Sequence, residues 1–272
     1  MSINAVSLSS STRANLASLR QTADLLSSSE EKLATGKKVN SALDNATEYF
    51  ASRGFLNKAN DLSNLKDSLS TSIQTVTSAI STIDSVQSLV EQLQSITVSA
   101  LQTSDTTTRS GYATQYNSLM KQIDYLVSDA TFNGTNLLNN TANLLVYFNE
   151  SNTTTLTVSG VNATAAGLGI SVAGNRFATV YDIQVASSLL QTAMASLRTD
   201  ATQFGNTTTV ITTRQTFTDS MIDTLQTASD NLILADTNQE SANLTALQTR
   251  NSLAVISLGI SNQAQQAILR LF

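Results

Sequence analysis

One run of residues limits what this chain can become. Leu62, Lys66, Leu69, Ile73, Val76, Ile80, Ile83, Gln87 and Val90 follow one another by alternating steps of 4 and 3 without a miss, which draws a single stripe along a helix. From Ile83 a parallel line through Val86, Val90, Leu93, Ile96 and Ala100 carries it onward. A helix over residues 46–101 would be roughly 80 Å long at 1.5 Å per residue. That is too long for a compact domain of this size and predicts an elongated rod of coiled-coil type. The sequence contains no Pro, the residue that costs about 3 kcal/mol inside a helix.

The two ends carry periodic stretches of their own. Leu16, Leu19, Ala23, Leu26, Glu30 and Leu33 form a heptad ladder. It stops at Ala34-Thr35-Gly36, with Gly placed as a helix stop, and Lys37 to Asn45 reads as a polar connector. At the other end, Leu253, Ile256, Ile260, Ala264, Ala267 and Leu271 share one helical line, while Leu247, Ala254, Leu258, Ile268 and Phe272 run beside it. A helix apolar over two faces is normally buried on both. Its cover has to come from the other end of the chain or from further copies, and the second line is the one a monomer does not explain.

Between the ends, Tyr112, Tyr116, Leu119, Ile123 and Leu126 give a third helical stripe after a polar break at Ser104–Thr108, and Phe132-Asn133-Gly134 is a turn signal. From 139 to 179 the texture changes: Leu144–Phe148, Thr153–Val158 and Ile170–Ala173 read as short strands, with Gly160, Gly167 and Gly174 between them. Helical spacing returns at Ile183–Leu197 and again at Val210–Leu234, through Val210, Phe217, Met221, Leu225 and Leu232, before a polar break at Asp236–Ser241. The expected class is mainly α: an elongated antiparallel helical rod or coiled coil, with paired terminal helices and a small β-hairpin insertion.

Composition narrows the chemistry. With no Cys and no His, neither the usual metal clusters nor Ser-His and Cys-His nucleophilic pairs can be built, and no disulfide supports the fold. The carboxylates Glu30, Glu31, Asp61, Asp67 and Asp84 lie on polar helix faces with no pocket implied, so no catalytic site, cofactor or metal is expected. A net charge of −5 and a largest basic cluster of Lys37-Lys38 argue against nucleic acid. No apolar run reaches the roughly 18 to 20 residues of a membrane span. The N-terminus lacks the basic and apolar regions of a secretory signal, which leaves the cytoplasm or an export route without a cleaved signal. Asn-x-Ser/Thr triplets such as Asn133, Asn152, Asn162 and Asn206 are what an Asn-, Ser- and Thr-rich chain produces by chance. Exposed hydroxyls at Ser151, Thr153, Thr154 and Thr155 are candidates for O-glycosylation.

The stretch Leu33-Ala34-Thr35-Gly36-Lys37-Lys38-Val39-Asn40-Ser41-Ala42-Leu43-Asp44-Asn45-Ala46 resembles the L-S/T-x-G-x-x-I/V-N-S-A-x-D-D/N-A signature of the bacterial flagellins. Asn262 and the closing Ile268-Leu269-Arg270-Leu271-Phe272 are similar to that family's C-terminus, and Phe132-Asn133-Gly134 to a third recurrent element.

The resemblance implies a structural protein that polymerises into the flagellar filament used for swimming. Residues 1–40 and 237–272 would form the filament-core helical domain. Residues 41–138 and 181–236 would be the rod helices, and 139–180 an outward-facing hairpin segment. Filament-core packing would fall to Leu16, Leu19, Ala23, Leu26, Leu33, Leu253, Ile256, Leu258, Ile260, Ala264, Ile268, Leu271 and Phe272. Packing between rod helices would fall to Leu62, Leu69, Ile73, Val76, Ile80, Ile83 and Val90. The implied partners are further copies, an export chaperone, and cap and hook-junction proteins, with passage through the flagellar type III apparatus to the outside.

Where many flagellins carry charged residues read by the animal Toll-like receptor for flagellin, this chain has Gln92, Gln94 and Ser95, which implies weak activation. A hook–filament junction protein, or a surface binding protein on the same fold, are the alternative roles. A helical-scaffold enzyme is a third possibility, but the H-E-x-x-H protease insertion found in some flagellins would need His.

Overall fold

The computed structural model describes residues 10–139 and 142–269, leaving aside the side chains of Gln265, Ile268 and Leu269. Arg270, Leu271 and Phe272 lie outside the described residues. In chain order the elements are α1 (Ser10–Thr35), α2 (Ala46–Leu101), α3 (Thr106–Asp129), β1 (Leu144–Tyr147), β2 (Thr155–Val158), a 3-10 turn at Gly174–Phe177, α4 (Val180–Ile233) and α5 (Thr237–Leu269). The protein is mainly helical with one small antiparallel two-stranded sheet. It packs as two units, one drawn from Met1–Lys58 and Thr224–Phe272, the other from Ala59–Asp223.

The second unit is built on the long ladder. Leu69, Val76, Ile83 and Val90 of α2 are fully buried, Leu62 nearly so, and Ile73 and Ile80 pack against the same core partly exposed. Tyr116, Ile123 and Val127 of α3 and Ile183, Leu190, Leu197, Phe204 and Ile211 of α4 complete it. The starts of α3 and α4 are capped. The Asp105 carboxylate accepts from Thr108 N at 2.8 Å, and its bonds to the Thr108 hydroxyl and backbone hold it below the usual carboxylate range. Thr179 and Asp182 exchange hydrogen bonds as a capping box at α4.

The helical spacing at Ile183–Leu197 and at Val210–Leu234 belongs to one 54-residue helix, α4. Gly205 and the Thr207-Thr208-Thr209 run between them are weak helix formers. Each threonine hydroxyl donates to the carbonyl four residues back, which satisfies the hydroxyl but adds nothing to the helix. Burial of Phe204 and Ile211, worth about 1.5–3 kcal/mol each, outweighs the ~1 kcal/mol cost of the glycine. Along this stretch Val210 and Phe217 face outward, while Phe204, Ile211 and Thr218 face the protein.

The third strand, Ile170–Ala173, does not form. Its neighbourhood satisfies its backbone on α3 side chains instead: Ala173 N donates to Asn117 Oδ1 and Ala165 N to Asp124 Oδ1, both at 2.8 Å. The polar break read at Asp236–Ser241 is also shorter than expected, because α5 starts at Thr237 with Asp236 Oδ1 accepting from Asn238 N and Gln239 N.

β1 and β2 pair in the register Leu144↔Val158 to Tyr147↔Thr155, so Val146 and Val158 face inward while Leu145 and Thr157 face out. Arg214 of α4 lies over the Phe148 ring at 5.3 Å and pins the hairpin. At the turn before β1, Asn133 and Gly134 both take positive φ (47° and 77°), as a tight Asn-Gly turn requires.

Two buried polar groups brace the region where α2, α3 and α4 meet. Arg109 donates from Nε to the carbonyls of Ala100 and Thr103 (3.2 and 2.8 Å) and from a terminal nitrogen to Ala178 O (3.3 Å). It therefore puts a cation on the carbonyl end of α2. Tyr116 packs edge-on against Phe177, 5.3 Å between centroids. Phe177 is the last of three successive non-glycine residues, with Asn175 and Arg176, in the left-handed region. That conformation costs roughly 1–2 kcal/mol per residue, and complete burial of the Phe177 ring holds it in place.

The Tyr116 hydroxyl has no hydrogen-bond partner among the described residues, and burial pushes its pKa up to about 12. Tyr116→Phe removes an unsatisfied group and should raise the melting temperature, by up to about 1 kcal/mol in stability. With a folded pKa above the unfolded value near 10, Tyr116 contributes stability that is present below pH 10 and lost as pH rises toward 12. Thermal melts at pH 8 and pH 11 should show a smaller alkaline loss in Tyr116→Phe than in the wild type.

Candidate functional site

The first unit rests on the pairing of α1 with α5. On α1 the residues turned inward are Thr12, Leu16, Leu19, Thr22, Leu26, Ser29 and Leu33; only Thr12, Thr22 and Ser29 are fully buried. The heptad is present with its register shared by polar residues. Thr22 and Ser29 hold the positions expected of Ala23 and Glu30, which are exposed. On α5 the partly covered residues step evenly through Glu240, Leu244, Leu247, Asn251, Ala254, Leu258 and Ser261.

Polar groups meet across this seam. Thr12 and Ser261 hydroxyls lie 3.0 Å apart, Asn15 Nδ2 donates to Ser257 Oγ at 3.3 Å, and the Ser29 hydroxyl donates to the Glu240 carboxylate. None of these residues stood out in the sequence, because short polar side chains interrupt a hydrophobic ladder rather than extend it. The signal that could have found them is spacing alone: they continue the 3/4 steps of the leucines.

α5 runs for 33 residues, yet none of its described side chains is fully buried. The roles of its two apolar lines are the reverse of the expectation. Leu247, Ala254 and Leu258 lie against α1, whereas Leu253, Ile256 and Ile260 are 61%, 58% and 63% exposed, with Ala264 and Ala267 also open. Val255 adds to this surface. Ile268 lies in the helix without a described side chain, and Leu271 and Phe272 are outside the described residues.

The connector between α1 and α2 is a clasp. Gly36 at φ 68° ends α1 and its carbonyl accepts from Ala235 N at 3.0 Å. Lys37 bridges Leu234, and Lys38 N and Val39 N both donate to Ile233 O. Val39 is buried beneath them. The Asp44 carboxylate accepts from Asn40 N, Ser41 N and Ser41 Oγ at 2.9, 2.8 and 3.2 Å, and these bonds hold it below the usual carboxylate range. Asn45 caps α2 through Glu48 N. Below the clasp the Ser52 and Ser229 hydroxyls meet at 2.8 Å in a buried pair.

In the second unit, Gln92 and Ser95 are exposed on α2 and Gln94 is half-buried; the Ser95 hydroxyl donates to Glu91 O. Ser151, Thr153, Thr154 and Thr155 are all exposed around the hairpin loop, where Asn149 accepts from Thr153 N and Thr154 N. Among the described residues no group of three or more acidic, His or Cys side chains could hold a metal, and no helix is long and apolar enough to cross a membrane.

The described geometry thus pairs α1 with α5 through a partly polar seam and leaves an apolar face of α5 open. The family described as the bacterial flagellin N-terminal helical region matches residues 3–143. The chain belongs to the bacterial flagellins. The flagellin FljO of Caulobacter vibrioides is 28% identical over the whole of both chains, and a flagellin of Brucella melitensis is 29% identical over 94% of this chain and 95% of its own. The crystal structure of Bacillus cereus flagellin superposes with a TM-score of 0.50 over 56% of this chain and 88% of that one, at 14% identity, and so shares the fold. Flagellins are structural subunits of the bacterial flagellar filament, and the chain takes that role with its family.

Membership gives the clasp its meaning as a flagellin element. The signature residues Gly36, Val39, Asn40, Ser41, Asp44 and Asn45 are those that terminate α1, fill the space under the turn, lock it and start α2. Gly36→Ala forces a side chain into the left-handed region and should cost about 1–2 kcal/mol. A lower melting midpoint for the first unit, followed by circular dichroism, checks this; unchanged melting would deny the clasp its structural role.

Proposed function

We propose that this flagellin self-polymerises into the helical filament that drives swimming, and that the open face of α5 is buried between copies. The observation that carries the reading is a 33-residue helix with no fully buried described side chain and a continuous line through Leu253, Ile256 and Ile260 left uncovered. Burying side chains of this size is worth about 1.5–3 kcal/mol each, so contact with further copies supplies stabilisation that the single chain lacks. Leu16, Leu19, Leu26, Leu33 and Leu258 pair α1 with α5 inside each copy, and Ala23, Ala264, Ile268, Leu271 and Phe272 join the core in the assembled state.

In this arrangement 1–40 and 237–272 line the filament core, 41–138 and 181–236 form the surrounding rod layer, and 139–180 faces outward. Hydroxyls at Ser151 and Thr153–Thr155 are then available to glycosylation. The subunit leaves the cell without a cleaved signal through the type III apparatus, escorted by an export chaperone. It adds at the tip beneath cap proteins, above the hook-junction proteins.

Ile260→Asp tests the face directly. A charge buried without a partner costs several kcal/mol, which raises the critical concentration for polymerisation by about a hundredfold or more, while melting of the second unit stays unchanged. Leu258→Asp should also stop polymerisation, but by opening the α1–α5 seam within each copy, with loss of helical signal. Normal filaments from Ile260→Asp, seen by negative stain, would refute the face.

The uncharged Gln92, Gln94 and Ser95 underlie a second expectation. In a reporter-cell assay this flagellin should activate the Toll-like receptor for flagellin far more weakly than an ordinary enterobacterial one. Equal potency would contradict it.

A further inference from the structure

Within the clasp, one side chain has no part in the fold. Leu43 is 97% exposed, while its neighbours are either buried or hydrogen-bonded. A single exposed leucine is ordinary on a flexible loop, but this turn is fixed. Leu43 N donates to Ser41 Oγ, Asp44 N donates to Ser41 O, and Asp44 closes the turn from the other side. The backbone that carries the side chain is therefore held in place before any partner arrives, which reduces the conformational entropy lost on contact.

The same unit offers a receiver. Between α1 and α5 lies a shallow groove of about 320 Å³, lined by Leu25, Ala246 and Leu247 and bearing Lys32 and Arg250. Glu240 also reaches it, accepting from the Ser29 hydroxyl while keeping its charge, so the groove carries two cations against one anion. Lys32 lies within electrostatic reach of Asp44 of its own chain, and Arg250 makes no ion pair with any described residue. A part-apolar groove of net positive charge complements a leucine followed directly by an ionised aspartate, Asp44.

We propose that Leu43 of one copy seats in the α1–α5 groove of a neighbouring copy, with Asp44 brought toward Lys32 and Arg250. This rests on the filament reading above and assigns it a specific contact. Leu43 is fully solvated in its own chain, so the groove it fills belongs to another copy. A knob and a groove at different places on one surface make a head-to-tail contact, which propagates as an open helix where it does not close into a ring.

The chain contains no Cys, so introduced thiols report unambiguously. Two full-length variants, Leu43→Cys and Ser28→Cys at the groove, are polymerised together and oxidised. The expected result is a disulfide-linked dimer on a non-reducing gel that is absent from unpolymerised mixtures and from filaments of either variant alone. Because the thiols sit on separate chains, only a contact between copies can join them. Filaments without that dimer would overturn the proposal and leave the filament reading standing, whereas a wild-type protein that never polymerises would sink both. Should the cysteine variants fail to assemble, Leu43→Ala decides: a critical concentration raised tenfold or more, with unchanged helical content, is expected, and wild-type polymerisation would overturn the contact.

Discussion

The seam between α1 and α5 governs this molecule. Its spacing is that of a coiled coil, but Thr12, Asn15, Thr22 and Ser29 stand where leucines would close it tightly. The Thr12–Ser261 and Asn15–Ser257 bonds across the seam are neutral and contribute only about 0.5–1.5 kcal/mol each. Ser29 donates to the charged Glu240, and the Thr22 hydroxyl turns back to Ser18 O of its own helix. The bonds across the seam do fix register, because a shift by one position would strand the donors and acceptors against apolar groups. The pair is thus specified more strongly than it is stabilised. The clasp at Gly36–Val39 then ties one end of the pair, where α1 stops, to the chain at Ile233–Ala235 just before α5.

The second unit solves the opposite problem. There the ladder of α2 meets complementary ladders on α3 and α4, and the residues that interrupt it are fully satisfied or fully enclosed. Arg109 shows how a charge is tolerated in such a core: carbonyls left over at the end of α2 supply the acceptors that burial would otherwise deny it. Phe177 shows how strain is tolerated, since the packing of its ring against Tyr116 outweighs an unfavourable backbone. Local cost is accepted wherever a large apolar side chain is gained.

Much of this was legible in the sequence because helices advertise themselves by period. The α2 ladder from Leu62 to Val90 required no knowledge of its partners, and the signature Leu33–Ala46 carried the family by itself. What escaped reading shares one cause. At Ile170–Ala173 a β-like composition was overruled by acceptors on α3. At Thr22 and Ser29 the seam is carried by short polar side chains, which hydrophobic periodicity does not register. In each case the deciding partner lies far away in sequence, and periodicity within one segment holds no information about it.

The two apolar lines of α5 show what that limit means for function. From sequence the line through Leu247, Ala254 and Leu258 was the one expected to be left outside, but periodicity alone does not require that choice. The structure resolves the choice through the polar members of the seam: Glu240, Ser257 and Ser261 answer Ser29, Asn15 and Thr12, and they bring Leu247, Ala254 and Leu258 inward with them. Polar residues thereby decide which hydrophobic face is left outside. A fully apolar seam would have been stronger, but it would have given α5 two faces of equal appetite for α1. By placing hydrogen bonds on one side only, the sequence leaves Leu253, Ile256 and Ile260 outside the seam, on the face proposed above to be buried between copies.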